Sequence, residues 1–364
     1  MINIFKQFPN LSGKIPYTPL GSFPTPVEKI DTGGVLSGIG SLYVKRDDMS
    51  GPLYGGNKVR KLEFLLGEAL AKGAESVLTF GFSGSNHALA TAFYAKSAGL
   101  KCISVLMPQP ISHHVRHNLL LQILSGAELH YCGNYALTLP RAIVQLLSEK
   151  SKTGKFPMII PPGGSTPSGA LGFVSAAFEL KEQVESGLLP EPDYLYVTLG
   201  TAGTAAGLTL GLKMAGMKTK VISVLVVDEL WMNQKNYMKS AESAQKYLRS
   251  IDPTIPAVNL KPDDFVVRTE FFGREYGLFT QEGQEAVSIM KQLSGINLDG
   301  TYTGKTFAAI VHDSRAGRLE GKNVLYWNTL SSKDFSKEES KIDYRELPKQ
   351  FHKVFTEDVQ ELDS

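Results

Sequence analysis

The run Gly55-Gly56-Asn57-Lys58 places a lysine at the start of a helical stretch, directly after two glycines. The glycines let the backbone turn tightly and come close to a ligand. In the first helical turn the positive end of the helix dipole disfavours an ammonium, so Lys58 is expected to be a free amine more readily than most lysines. A free amine can condense with an aldehyde. A solvated helix-start lysine fits the same spacing. Lys61, one turn later on the same face, could set a charge beside a phosphate.

Three further loops have unusual composition. Phe82-Ser83-Gly84-Ser85-Asn86-His87 offers hydroxyls and unpaired N–H groups at a helix start, which suits a carboxylate; Ser85 or Asn86 could equally be an N-cap. Pro161–Gly169 is rich in glycine and proline and either shapes a site or joins two lobes. Gly200, Thr201, Ala202, Gly203 and Thr204 begin another helix, where backbone N–H groups and hydroxyls can cup a phosphate. No Gly-Lys-Ser/Thr follows, so this is not a Walker loop. His113, His114 and His117 have helical spacing but no evident carboxylate or thiolate partner, so no metal is expected.

These loops need elements to hold them. Apolar residues form 42% of the 364 residues and charged residues 20%, ordinary for a folded chain with one large or two medium domains. Strands at 41–46, 77–80, 102–107, 128–132, 157–160, 194–199 and 220–227 alternate with helices at 57–73, 86–99, 114–126, 137–150, 168–186 and 203–216. The alternation predicts an α/β fold with mostly parallel sheets covered on both faces, and chemistry in the loops after the strands. A net charge of +2 gives no reason to expect nucleic acid. The apolar runs are too short to span a membrane and the N-terminus lacks a signal peptide's apolar core, so a cytoplasmic location is expected. Cys102 and Cys132 suggest neither a disulfide framework nor a thiolate site. From Ser331 the composition turns charged, which predicts an appended tail behaving as a solvated linker.

In order along the chain, Val44–Asp48, Gly55–Glu63, Ser85–His87, Pro162–Ser165 with Gly169–Gly172, and Leu298–Lys305 resemble the D-cysteine desulfhydrase and 1-aminocyclopropane-1-carboxylate (ACC) deaminase family. The resemblance runs from about Tyr17 to Leu330. It implies a two-domain fold of the tryptophan synthase β type, with residues 1–49 and 163–330 in a larger domain, 50–162 in a smaller one and 331–364 as the tail. It also implies pyridoxal 5′-phosphate (PLP) as cofactor, a small amino acid as substrate, and a homodimer. Lys58 would bond the cofactor and exchange a proton at the substrate Cα. Asn86 would meet the ring oxygen, Ser85 and His87 the substrate carboxylate or reacting atoms, and residues 200–204 the phosphate. Tyr276 and Tyr302 match the family's two active-site tyrosines.

At Thr303 ACC deaminases carry a glutamate that would keep the ring nitrogen protonated. A neutral threonine favours desulfhydrase-like α,β-elimination, which has a good leaving group and needs less storage of charge. The alternatives are ACC deamination, a D-serine-type lyase, or a PLP-binding protein without turnover. Two departures bear on substrate: Arg274 and Glu275 stand where the family has Pro-Gly, and Asn328–Ser331 where it has His-Thr-Gly-Gly. The stretch 228–248 also matches poorly.

Overall fold

The computed structural model describes residues 2–363. Its elements begin with α1 (Asn3–Gln7), β1 (Val27–Ile30), β2 (Ser41–Lys45), α2 (Lys58–Ala71), β3 (Ser76–Phe82), α3 (Asn86–Ser97), β4 (Lys101–Met107), α4 (His113–Ser125), β5 (Glu128–Tyr131), α5 (Thr138–Thr153) and β6 (Met158–Ile160). They continue with α6 (Pro167–Glu185), β7 (Tyr194–Leu199), α7 (Gly203–Met214), β8 (Lys220–Leu225), α8 (Gln234–Ile251), β9 (Val266–Arg268), α9 (Gln281–Ser294), α10 (Thr303–Arg315), β10 (Asn323–Trp327), α11 (Ser336–Glu339) and α12 (Lys353–Thr356). The expected strand–helix alternation is present with ends shifted by a few residues.

Two sheets form. One has the order β5-β4-β3-β6 and the other β1-β2-β10-β7-β8-β9. All pairings are parallel except β1 with β2. Strands β7 and β8 are almost wholly buried, as expected where helices cover both faces. The four-stranded sheet lies within residues 76–160, and the six-stranded sheet draws on both sides of it in sequence.

Helix α2 joins the two. Its Arg60 lies against α6, where a Cβ on Gly172 would sit 2.2 Å from the Arg60 carbonyl oxygen. Beneath it is a buried ion cluster. Arg60 donates to both Asp47 carboxylate oxygens and to Glu179, and Lys45 Nζ donates to Glu179 Oε1 at 2.6 Å. The Trp327 indole N–H donates to Asp47 Oδ2 at 2.8 Å. This cluster ties α2 to β2, β10 and α6, and so fixes where Lys58 points.

The segment after residue 330 differs from expectation. Phe335, Leu347, Phe351 and Val354 are buried. Phe335 packs on Phe93 and Tyr54, while Leu347, Phe351 and Val354 join Ala88, Leu106, Val115 and Leu119 in one apolar cluster. It is no solvated linker. Four apolar side chains spread among charged neighbours are enough to seat it, and composition averaged over the segment hides them.

Candidate active site

The loops after β3, β6 and β7, together with the start of α2, enclose a cavity of about 280 Å³ between the two sheets. Lys58, Lys61, Ser85, Asn86, His87, Gly200, Thr201, Ala202, Gly203, Thr204, Tyr276 and Tyr302 all line it. Thr303 does not.

Lys58 reaches its place because the chain turns at Gly55 and Gly56. A Cβ on Gly55 would collide with the Asp48 carbonyl oxygen at 1.9 Å, and Gly56 has φ +87°. The Lys58 Nζ donates to Asn57 Oδ1 at 2.8 Å, and Asn57 Nδ2 donates to Thr204 Oγ1 at 2.9 Å. Burial lowers the Lys58 pKa to about 8, with the Asp299 carboxylate opposing the shift. Burial, then the charge of Lys58, push Lys61 well below the usual lysine range. Lys61 Nζ donates to the Gly163 carbonyl at 2.9 Å, and no ion pair forms at either lysine among the described residues.

Lys61 faces the start of α7. A Cβ on Gly203 would lie 2.7 Å from Ser165 Oγ and 2.9 Å from Lys61 Nζ, so only glycine leaves the cradle open. Ala202 is the one non-glycine residue with positive φ (64°) among those described, which turns the chain sharply into the helix. Ser165 Oγ receives the Gly203 N–H at 3.1 Å and lies 2.8 Å from Thr201 Oγ1. The Gly/Pro loop after β6 therefore does shape the site. First-turn N–H groups of a helix lack intrahelical partners, and beside Lys61 they present a place for a multiply charged anion.

At the start of α3, Ser85 Oγ accepts the Ala88 N–H and so caps the helix. Asn86 is held more firmly than its sequence position suggests. Its Oδ1 accepts from Asn118 Nδ2 (2.9 Å), the Tyr54 hydroxyl (3.2 Å) and His114 Nε2 (3.0 Å). Asn118 Nδ2 also donates to the Gly84 carbonyl at 2.8 Å, which fixes it as the donor and Asn86 Oδ1 as the acceptor. The Asn86 amide N–H₂ is left for the cavity. His87 is pushed well below the usual histidine range, first by burial and then by Lys58 and Lys61, and is neutral.

The Tyr276 and Tyr302 hydroxyls are hydrogen-bonded to each other. Burial raises both pKa values, so both stay protonated. Tyr276 stacks on Phe82 with ring centroids 4.1 Å apart, linking the loop before α9 to strand β3 of the four-stranded sheet. Trp231, from the poorly matching stretch, and Tyr135 stack at 5.2 Å as part of the cavity wall. Arg274 and Glu275 are exposed and outside the lining, whereas Thr329 and Leu330 line the cavity.

Thr303 is placed differently from expectation. Its Oγ1 donates to Asp299 Oδ2 at 2.7 Å and accepts the Asp299 N–H at 2.7 Å. Asp299 is the acid that lines the cavity, and Thr303 restrains it from behind. Both Asp299 oxygens are engaged, Oδ1 by the N–H groups of Thr301 and Tyr302 and Oδ2 by Thr303. Asp299 thus holds the turn that leads into α10, whose N-cap is Tyr302. An Asp followed by three small or hydroxylated residues and a helix carries that turn signal in sequence; Tyr54, His114 and Asn118 carry none, because Asn86, which they hold, stands 28–32 residues away.

The chain matches the profile described as "Pyridoxal-phosphate dependent enzyme" over residues 19–329. It is 33% identical over 324 residues to a Pyrococcus horikoshii protein named "Putative 1-aminocyclopropane-1-carboxylate deaminase", covering 88% of this chain and 93% of that one. A solved structure described as an ACC deaminase homologue superposes with TM-score 0.76 at 32% identity, covering 90% of this chain and 94% of the other. A PLP-dependent aspartate racemase shares the fold alone, with TM-score 0.59 and 19% identity. The cavity fits the cofactor that these descriptions imply: an amine for the aldehyde, an amide donor for the ring oxygen, and a helix start with a buried lysine for the phosphate. By profile, relatives and fold of the tryptophan synthase β type, this chain belongs to the pyridoxal-phosphate dependent enzyme family, close to the ACC deaminase homologues.

Proposed function

We propose that this enzyme is a PLP-dependent lyase of a small neutral amino acid, and that α,β-elimination from D-cysteine is its reaction. The observation that carries the reading is the pair Thr303 and Asp299. The residue after Tyr302 is neutral, and both oxygens of the one carboxylate lining the cavity are occupied by donors of its own helix start. No free acid is left to hold a proton on a ring nitrogen, which suits a substrate whose leaving group departs readily. The neutral side chain follows from the lining: its only lysines and arginines are Lys58 and Lys61, both committed to the cofactor.

Lys58 would hold the cofactor through its aldehyde, and its amine would take the proton from the substrate Cα. When bound, PLP supplies the electron sink for the charge left there. Asn86 would donate its amide to the ring oxygen, Lys61 and residues 200–204 would hold the phosphate, and Ser85 and neutral His87 would receive the substrate carboxylate. The hydroxyls of Tyr276 and Tyr302 would donate hydrogen bonds to the departing sulfur, which leaves as hydrosulfide because burial keeps both phenols weak acids. The balanced reaction takes D-cysteine and water to pyruvate, ammonia and hydrogen sulfide. The homodimeric and cytoplasmic expectations belong to this reading too; the first rests on family resemblance and the second on the short apolar runs of the sequence.

ACC deamination is the second reading, favoured by the names of the relatives and by the nearness of Asp299. Turnover of D-cysteine, L-cysteine, D-serine and ACC beside Lys58→Ala separates them. D-cysteine consumed fastest, with equal sulfide and pyruvate, supports elimination; ACC consumed fastest supports the second reading. No turnover of any, with PLP still captured at Lys58, leaves a binding protein.

A further inference from the structure

The segment beyond residue 329 lies outside the stretch matched by the family profile, yet it touches the active-site machinery at both its ends. At the first end, Ser331 Oγ accepts the Gly55 N–H at 2.9 Å, bracing the turn that leads to Lys58. The second end meets residues 271–280, a loop with neither helix nor strand that carries Tyr276.

A loop without regular structure must find partners for its backbone groups elsewhere. Gln360 supplies two of them. Its Oε1 accepts the Phe279 N–H at 2.7 Å, and its Nε2 donates to the Gly277 carbonyl at 3.1 Å. The Gln360 backbone N–H donates to the Ile111 carbonyl at 2.8 Å, in the opposite lobe. One residue therefore links the Tyr276 loop to the lobe that carries Asn86. Gln360 is itself anchored on both sides. Arg116 donates to the Val354 and Glu357 carbonyls, Gln284 to the Leu362 carbonyl, and Phe351 packs edge-on to Tyr131 at 5.3 Å.

We propose that Gln360 is a positioning residue: through residues 277–279 it holds the Tyr276 hydroxyl at the reacting atoms, making the C-terminal segment part of this enzyme's catalytic apparatus. The inference rests on the reading of Tyr276 given under Proposed function. Misplacing a catalytic group by about 1 Å can cost about a hundredfold in rate. The loss here is smaller because the stack on Phe82 still limits Tyr276.

The test uses the full-length, PLP-loaded enzyme with Gln360→Ala and Gln360→Glu. The glutamate keeps an acceptor for the Phe279 N–H and loses the donor to Gly277. In Gln360→Ala, amide exchange in residues 277–279 should rise at least about tenfold and kcat should fall about tenfold with KM within about twofold. Gln360→Glu should lie between Ala and the parent on both measures. Exchange that rises with kcat unchanged would reduce Gln360 to a structural tie, and unchanged exchange would remove the clamp itself. If the parent turns over none of the four amino acids, the functional reading fails separately. The clamp is then judged on exchange and on nitration of Tyr276, which should quicken in Gln360→Ala; an unaltered nitration rate would overturn the positioning role.

Discussion

Helix α2 presents two kinds of buried cation within four residues. Arg60 is 3% exposed and meets two carboxylates, Asp47 and Glu179, with Lys45 sharing the second. Lys61 is 2% exposed and meets only a carbonyl, while Lys58 meets only an amide oxygen. Burying a charge without a counter-charge is costly. The Arg60 side offsets that cost inside the protein, so its charge serves the scaffold. The Lys58 and Lys61 side leaves it unmet, so both groups give up their protons more readily and await a ligand. Burial alone does not tell a structural cation from a functional one; the identity of its partner does.

The sharpest break in this comparison is Lys58→Ala. It should abolish covalent capture of PLP, read by borohydride reduction and peptide mass, together with all turnover, while folding is unaffected. A reduced adduct on Lys61 would move the anchor one turn along the helix. On the scaffold side, Glu179→Leu leaves Arg60 and Lys45 buried with too little counter-charge, and should cost about 3–5 kcal/mol of stability in denaturant unfolding. In the parent, Glu179 resists the upward push of burial because Arg60 and Lys45 hold its pKa to about 2. Lys61→Met should do the reverse: the PLP-free chain becomes no less stable, and PLP affinity falls at least about tenfold through the lost charge on the phosphate. If Lys61→Met destabilises the empty chain as Glu179→Leu does, the distinction between the two sides collapses.

The same contrast marks what could be read from sequence. The strand–helix alternation was legible because apolar periodicity is local, and the cavity loops were legible because glycine and hydroxyl residues cluster just after strands. The antiparallel β1 and helix α8 did not stand out: β1 is short, and α8 lies where the family motif lapses. Lys45 and Asp47 were visible as part of a family motif, but their partner Glu179 stands more than a hundred residues away and looks like any helix glutamate. Asn118 and His114 stayed hidden for the same reason, although together they fix the orientation of Asn86. Thr303 was legible as a position, but sequence could not show its hydroxyl turned onto Asp299.

A milder effect follows from the Lys58 pKa. Its folded value of about 8 lies below the usual 10.5, so the reactive neutral amine grows as pH rises through about 8 and levels off above it. The rate of PLP capture by the empty chain, followed by absorbance between pH 6 and 10, should rise with a midpoint near 8. A midpoint near 10 would mean that the amine is solvated before the cofactor arrives. The shift also makes the empty chain gain stability as pH rises from about 8 towards 10.5, because the unfolded state then holds the proton that the folded state has lost.

The smallest effect expected is that of Thr303→Val, which keeps the shape and removes the hydroxyl. The side chain donates to Asp299 Oδ2 and accepts the Asp299 N–H, both at 2.7 Å, so the variant loses both bonds and should be less stable by about 1–3 kcal/mol. Asp299 Oδ1 remains held by the Thr301 and Tyr302 N–H groups, so the carboxylate stays at the start of α10 rather than swinging into the cavity. The ratio of D-cysteine to ACC turnover should therefore stay within about twofold of the parent, because each twofold is only about 0.4 kcal/mol of differential barrier. Thr303→Glu, by contrast, adds an acid next to Asp299 and should shift that ratio towards ACC. A valine that shifts the ratio as far as the glutamate does would show that the threonine hydroxyl itself touches the bound cofactor. Thr303 would then act by contact, and the restraint of Asp299 would be incidental to the choice of reaction.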